Sequence, residues 1–131
     1  MLTFGSIALF VDDMEKMVKF YRDAIGLNID WDGGCFTGVK LESGIFFNLC
    51  KRTAMEKDCS EKLTYPESIN GTMEVCFHLE NPSDVDKEFD RLITAGATPV
   101  INPKTLPYGL RSCFLADPEG NLIEIVASDE N

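Results

Sequence analysis

The chain has no long apolar run and few basic residues. A transmembrane helix needs about 18 consecutive apolar residues, and no such run occurs. Residues 1–5 carry no basic segment followed by an apolar stretch, which argues against a secretory signal and favours the cytoplasm. Acidic residues outnumber basic ones by 22 to 12, for a formal charge of −10. Since phosphate backbones and anionic membranes would be repelled, we expect neither nucleic-acid nor membrane partners. The acidic balance is compatible with a cationic ligand and also with solubility alone.

Histidine and paired cysteines are scarce as well. The sequence contains one histidine, His78, and five cysteines. The cysteines form no CxxC pair and no cluster with histidine at zinc-site spacing, and their number is odd. We interpret them mainly as reduced thiols that contribute to packing: Cys35, Cys50, Cys59, Cys76 and Cys113. The length of 131 residues, with 44% hydrophobic and 26% charged residues, is typical of one globular domain.

The first half of the chain predicts a strand, a helix and three strands. Residues 7–11 form a short apolar run typical of a buried strand. Asp12 and Asp13 then provide capping carboxylates for an amphipathic helix that runs to Ile25 and ends at Gly26. Three further strands are predicted at residues 27–31, 35–41 and 44–50, separated by glycine-containing turns. Residues 51–70 are polar without a clear period, so we expect a long surface loop there.

The same order of elements is predicted again after Gly71. Residues 72–79 alternate between apolar and polar side chains, as in a strand. A second amphipathic helix begins near Pro82 and ends at Gly96. Strands follow near residues 99–101, 110–116 and 122–126, and the last two are joined by a turn at residues 117–121.

The repeated order predicts an α+β fold. We expect a single domain over residues 1–131, with one βαβββ module at about 4–50, a linking loop at about 51–70 and a second module at about 71–127. Neither module could bury both its helix and its sheet alone, so the sheets should enclose a cavity with the helices outside.

Two segments carry a resemblance to a known family. The first reads IALFVDDMEK followed by FYRDAIGL, and the second reads FLADPEGNLIEI. Together they resemble the opening and the final hairpin of the vicinal oxygen chelate superfamily, which includes glyoxalase I, bleomycin-resistance proteins and extradiol dioxygenases. The resemblance implies two βαβββ modules forming a U-shaped cavity that holds a divalent metal.

The resemblance also implies which side chains face that cavity. Family ligands come from inward-facing positions on the first and last strands of each module, and here those positions are Ser6, Asn48, Glu74 and Glu124. We expect these four side chains to converge. Only Glu124 matches the usual family residue. Ser6 and Glu74 stand where histidine is common, and Asn48 stands where glutamate is common.

Two interpretations of the glutamates stay open. Glu74 and Glu124 could hold a hard divalent metal, with Glu124 as a ligand or a catalytic base, although the missing histidines weaken the case for zinc, nickel or iron. Alternatively the cavity is free of metal, and the glutamates accept hydrogen bonds from Asn48, from Arg111 or from a ligand. We expect Arg111 to lie on the same face of the sheet as Glu124. We interpret His78 as a structural residue.

The aromatic residues complete the expected pocket. Phe10 and Phe46 fall on inward faces and are candidate ligand-binding residues with Ser6, Asn48 and Arg111. For Phe46 ordinary core packing is an equally good explanation.

Two functions are therefore consistent with the sequence. The first is a small-molecule binding protein of the bleomycin-resistance type, which sequesters a drug or metabolite and needs no cofactor. The alternative is a divalent-metal-dependent lyase, isomerase or resistance transferase of the glyoxalase I or fosfomycin-resistance type. By analogy with the family we expect a homodimer with a small-molecule ligand.

Overall fold

A computed structural model of the protein describes residues 1–128, and the elements after Pro66 follow the order that the sequence predicts, whereas the first half has one strand fewer. The strands are β1 (Ser6–Val11), β2 (Phe36–Lys40), β3 (Phe46–Lys51), β4 (Asn70–His78), β5 (Thr98–Thr105), β6 (Leu110–Ala116) and β7 (Asn121–Ser128). The α-helices are α1 (Met14–Lys19), α2 (Arg52–Cys59) and α3 (Val85–Thr94). A π-helical segment at Phe20–Ile25 continues α1, and a 3-10 turn at Pro82–Asp84 precedes α3.

The chain divides into two compact units, the first spanning Met1–Tyr65. Its sheet has the order β1-β3-β2, with β1 parallel and β2 antiparallel to the central strand β3. Asp13 caps α1, because its carboxylate accepts a hydrogen bond from the backbone N–H of Lys16 at 3.0 Å. The π-helical segment after α1 packs on the sheet through Tyr21, whose buried ring has its centre 5.0 Å from that of Phe47. Gly26 ends the helical segment in the left-handed conformation, as predicted.

Two predictions for the first unit are wrong. Residues 27–31 form no strand: Ile29 is buried, but its N–H bonds the nearby carbonyl of Leu27 and not a neighbouring strand. Trp31 likewise bonds locally, its indole N–H donating to the carbonyl of Gly34 at 2.9 Å. The predicted irregular loop after residue 50 contains α2, which has no buried residue. Without an apolar face, that helix leaves no hydrophobic period in the sequence.

The second unit begins at Pro66 and contains a four-stranded sheet. The strand order is β4-β7-β6-β5, with β4 parallel to β7 and the other neighbours antiparallel. Helix α3 buries Val85, Phe89 and Leu92 and packs on β5, β6 and β7. Strand β6 has the predicted bounds, whereas β5 is several residues longer than predicted. The two sheets and their helices confirm the predicted α+β class.

The turn between β6 and β7 is built around a buried carboxylate. Asp117 is 1% exposed and accepts hydrogen bonds from the backbone N–H groups of Glu119 and Asn121 at 2.9 and 3.0 Å. The side-chain amide of Asn121 donates to the same carboxylate. Gly120 has φ +89°, and a Cβ there would lie 2.9 Å from the carbonyl oxygen of Ser68. The final motif of the family resemblance is therefore a structural turn in this protein.

The cysteines only partly follow the prediction. All five are free thiols, but only Cys113 is buried, while Cys35, Cys59 and Cys76 are exposed. Within residues 1–128 no helix is long and apolar enough to cross a membrane.

Candidate functional site

The candidate site lies on the face of the second unit's sheet that is turned away from α3. Register places Glu124 of β7 beside Cys76 of β4 on one side and beside Phe114 of β6 on the other. Side chains alternate along a strand, so the neighbours Ile123 and Ile125 point to the opposite face, where both are buried. Glu124 itself is half-buried. A carboxylate thus occupies the middle of this face.

Both oxygens of the Glu124 carboxylate accept hydrogen bonds. The hydroxyl of Ser112, on β6, donates to Oε2 at 2.6 Å, and Ser112 is only 1% exposed. The thiol of Cys76 donates more weakly to Oε1 at 3.7 Å. Hydrogen bonds to a charged group are stronger than those between neutral groups. These two donors fix the orientation of the Glu124 side chain.

Glu74 completes the cluster. One oxygen from each glutamate and the sulfur of Cys76 all lie within 4.8 Å of one another. The pKa of Glu74 is raised above its usual value, first by desolvation, then by a side-chain hydrogen bond with Glu124 and by repulsion from the charge of Glu124. Two carboxylates at this distance disfavour double ionisation, so a proton or another positive charge is favourable between them.

Cys76 remains a neutral thiol in this environment. Desolvation, followed by repulsion from Glu124 and Glu74, raises its pKa to about 12. The thiolate is the nucleophilic form of cysteine, and it is scarce at neutral pH when the pKa is this high. Cys76 therefore acts as a hydrogen-bond donor to Glu124 and not as a nucleophile.

The predicted position of Arg111 beside Glu124 is wrong. Arg111 lies on the helix side of the sheet, where its guanidinium makes two hydrogen bonds to the carboxylate of Asp86 on α3, at 2.9 and 2.7 Å. In β6 the residue opposite Glu124 is Phe114, so Ser112 shares the face of Glu124 and Arg111 does not. Within residues 1–128, neither Glu74 nor Glu124 forms a salt bridge with a lysine or arginine.

The donors in this cluster do not fit the divalent metal that the family resemblance implies. Hard ions such as Mg²⁺ prefer oxygen ligands, whereas softer ions such as Zn²⁺ favour imidazole and thiolate. The cluster combines two carboxylates with one thiol, a mixture of hard and soft donors, and no histidine belongs to it. The oxygens of Glu124 are moreover engaged by Ser112 and Cys76. Hydrogen bonding and charge, and not metal coordination, describe what this arrangement can do.

The remaining predicted residues lie in the first unit, on the sheet face turned away from α1. Ser6 pairs with Phe46, Ala8 with Asn48, and Phe10 with Cys50, so these side chains share one face. Phe10 and Phe46 are 37% and 44% exposed, which excludes Phe46 from the core. Asn48 is half-buried. The roles of Ser6, Phe10, Phe46 and Asn48 in ligand binding stay predictions, as does their convergence with the glutamates.

Sequence reasoning missed two members of the cluster, Cys76 and Ser112. Alternation along β4 does place Cys76 on the face of Glu74. What the sequence lacked was the register between strands, which brings Cys76 and Ser112 to Glu124 from two different neighbours. Glu74 and Glu124 lie together, as predicted.

Comparison with known proteins places this chain in a family. The model of the Glyoxalase/Bleomycin resistance protein/Dioxygenase superfamily matches residues 3–125. The uncharacterised protein YraH of Bacillus subtilis strain 168 is 32% identical over 127 residues, which cover 91% of this chain and 93% of that protein.

Solved structures agree on the fold. A glyoxalase-related enzyme from Fulvimarina pelagi is 20% identical with a TM-score of 0.83, and the match covers 98% of this chain and 89% of the enzyme. A lactoylglutathione lyase from Agrobacterium tumefaciens is 22% identical with a TM-score of 0.70, over 95% of this chain and 92% of the lyase. At these identities the likeness establishes a shared fold.

Proposed function

The chain belongs to the Glyoxalase/Bleomycin resistance protein/Dioxygenase superfamily, and we propose that it is a binding protein of that superfamily. Its ligand would be a small organic cation, bound at the carboxyl pair Glu74–Glu124 and not transformed. One observation carries the proposal: the two carboxyl groups lie within 4.8 Å of each other. Since no lysine or arginine of residues 1–128 neutralises them, the positive charge must come from a proton or from a ligand.

An ammonium group matches this pair. It offers three N–H donors and one positive charge, so it can donate to both carboxylates at once and remove their mutual repulsion. Desolvation and Glu124 raise the pKa of Glu74, which disfavours its charged form. An ammonium group in place of the proton lets both glutamates ionise while the pair stays balanced. Each oxygen of the Glu124 carboxylate has a second lone pair, so an ammonium group can donate to it while Ser112 and Cys76 keep their hydrogen bonds.

The surroundings of the pair suit the organic part of such a ligand. Phe114 lies directly opposite Glu124 on β6, and Leu122 lies opposite Glu74 on β7. Both side chains are half-buried and so retain some surface for contact. Small-molecule sites commonly combine apolar walls with a few fixed polar groups. An alkylammonium ion that carries an aromatic ring, such as protonated benzylamine, fits this combination.

This binding would serve sequestration of a drug or metabolite, as in bleomycin-resistance proteins. We expect the protein to work in the cytoplasm and to form a homodimer. Sedimentation of the purified chain at several concentrations measures its oligomeric state and so tests the homodimer.

Calorimetry with a matched pair of probes tests the proposal. Benzylamine should bind at neutral pH, and benzyl alcohol, which has nearly the same shape without the charge, should not. Glu124→Gln should weaken benzylamine binding at least about tenfold, because one charged partner is lost. Glu42→Gln, which removes the same charge from an exposed turn of the first unit, is the control and should bind normally. Equal binding of benzylamine by wild type and Glu124→Gln would exclude the carboxyl pair as the site.

One observation favours the alternative of a metal-dependent lyase, isomerase or transferase, namely three donor atoms within 4.8 Å. Metal analysis of the freshly purified protein and an assay with the hemithioacetal of glutathione and methylglyoxal test it. We expect no stoichiometric metal and little or no turnover. Metal-dependent turnover that Glu124→Gln abolishes would replace the binding function with this one.

A further inference from the structure

The centre of the first unit's sheet holds a polar side chain in an unusual position. Asn48 is the middle residue of the face turned away from α1, with Ala8 beside it on β1 and Gly38 beside it on β2. A Cβ added at Gly38 would lie 2.0 Å from Oδ1 of Asn48 and 3.0 Å from its Cγ. The carboxamide of Asn48 therefore lies over Gly38, in the space that any other residue at position 38 would fill.

Aromatic rings flank this carboxamide along the strands. On one side Phe46 lies in the row that also contains Ser6 and Lys40. On the other side the row of Cys50 contains Phe10 and Phe36. The exposed fraction is 37% for Phe10, 60% for Phe36 and 44% for Phe46. The two outer rows are four residues apart, or about 13 Å along the strands. This spacing is comparable to the length of a single-ring aromatic molecule together with its contacts on both sides.

The carboxamide is available to a ligand. Within residues 1–128 the Asn48 side chain has no hydrogen-bond partner, and it is half-buried. An asparagine side chain presents a carbonyl acceptor and an N–H donor next to each other. Another primary amide presents the complementary edge, so the two can form a pair of hydrogen bonds. Phenylalanine rings on both sides favour an aromatic body on that amide.

We propose that Gly38 is a positioning residue that holds the Asn48 carboxamide flat on the sheet, and that this carboxamide binds the amide edge of a flat aromatic molecule between Phe46 and the row that contains Phe10 and Phe36. The subsite belongs to the first unit alone. It does not depend on the carboxyl pair of the second unit, so either proposal can fail while the other holds.

A double-mutant cycle tests the link between Gly38 and Asn48 without any ligand. Gly38→Ala should lower the Tm by roughly 5 °C, because the new methyl group displaces the Asn48 side chain. In an Asn48→Ala background the same change should lower the Tm much less, with a small loss left from the contact to the backbone oxygen of Phe47 at 3.0 Å. Gly71→Ala is the control: it also adds a methyl group to a strand, but with nothing within 4 Å. Additive effects of Gly38→Ala and Asn48→Ala would refute the positioning role.

Benzamide is the probe for the ligand. Its addition should shift the side-chain amide signals of Asn48 in a nitrogen–proton NMR spectrum, and toluene, which lacks the amide, should not. Asn48→Ala and Gly38→Ala should each weaken benzamide binding at least about tenfold, and Gly71→Ala should leave it unchanged. The backbone signals of each variant show whether it is folded, and Asn48→Ala, which only removes atoms, serves if Gly38→Ala does not fold. Unchanged Asn48 signals with benzamide, or unchanged benzamide binding in folded Asn48→Ala, would overturn the subsite.

Discussion

The two units share one plan but present different chemistry on their sheets. In each, a helix packs on one face through apolar residues that alternate along the strands, such as Phe47 in the first unit and Ile125 in the second. The opposite face of the first unit carries phenylalanines around one carboxamide. The opposite face of the second unit carries two carboxyl groups with a hydroxyl and a thiol. Packing against the helix thus constrains one face, while the other is free to acquire a binding function.

The largest difference between the two units should appear in the loss of stability when the aspartate of a turn is replaced. Asp32 in the first unit and Asp117 in the second both accept hydrogen bonds from the backbone of a turn, but Asp32 is exposed and Asp117 is buried. Asp117→Ala should lower the free energy of unfolding by about 3 kcal/mol, because two half-buried backbone N–H groups and the Asn121 amide lose their acceptor. Asp32→Ala should cost at most about 0.5 kcal/mol, since water can replace an exposed acceptor. Urea denaturation measures both.

Similar losses for the two turn variants would show that burial does not separate these turns. It would also remove the structural explanation for the final motif of the family.

A smaller contrast concerns two serines on corresponding faces. Ser112 donates to the Glu124 carboxylate and is buried, whereas Ser6 is exposed. Ser112→Ala should destabilise the protein by about 1.5 kcal/mol and weaken benzylamine binding, because Glu124 loses the donor that orients it. Ser6→Ala should change neither quantity measurably. Normal benzylamine affinity in Ser112→Ala would mean that Glu124 needs no orientation by Ser112.

The smallest expected effect concerns Arg111, which faces the helix. Asp86→Asn breaks an ion pair whose carboxylate is 54% exposed, and surface ion pairs contribute little. We expect a slight decrease in Tm and unchanged benzylamine affinity. A large loss of benzylamine affinity in Asp86→Asn would mean that Arg111 contributes to the binding site, and it would contradict the placement of Arg111 on the helix side of the sheet.

Much of the fold could be predicted because apolar alternation reports directly on burial. Helix α1, the end of the following helical segment at Gly26 and strand β6 follow from periodicity and glycine. Residues 27–31 show how the same signal misleads: Ile29 contributes to the core from a loop, without strand pairing. The exposed helix α2 gave no signal at all.

The site was less predictable because it depends on pairing between strands. Glu74 and Glu124 could be found from their isolated charges among apolar residues and from the family positions. Arg111 could not be placed, because a one-residue shift in register moves a side chain to the other face of a sheet. The parallel pairing of β4 with β7 brings Cys76 to Glu124 from 48 residues away, a distance over which local patterns carry no information.

The pH dependence of amine binding tests the central claim most directly. Desolvation and the neighbouring Glu124 raise the pKa of Glu74, so this carboxyl keeps its proton to a higher pH than an isolated glutamate does. An ammonium ligand must displace that proton, so benzylamine affinity should rise as the pH increases through the raised pKa and level off above it. Calorimetry in two buffers of different ionisation enthalpy, at a pH near this transition, should detect protons released on binding, and Glu74→Gln should release none. Benzylamine binding without proton release across the pH range in which Glu74 titrates, or the same release from Glu74→Gln, would contradict a shared carboxyl pair as the cation site.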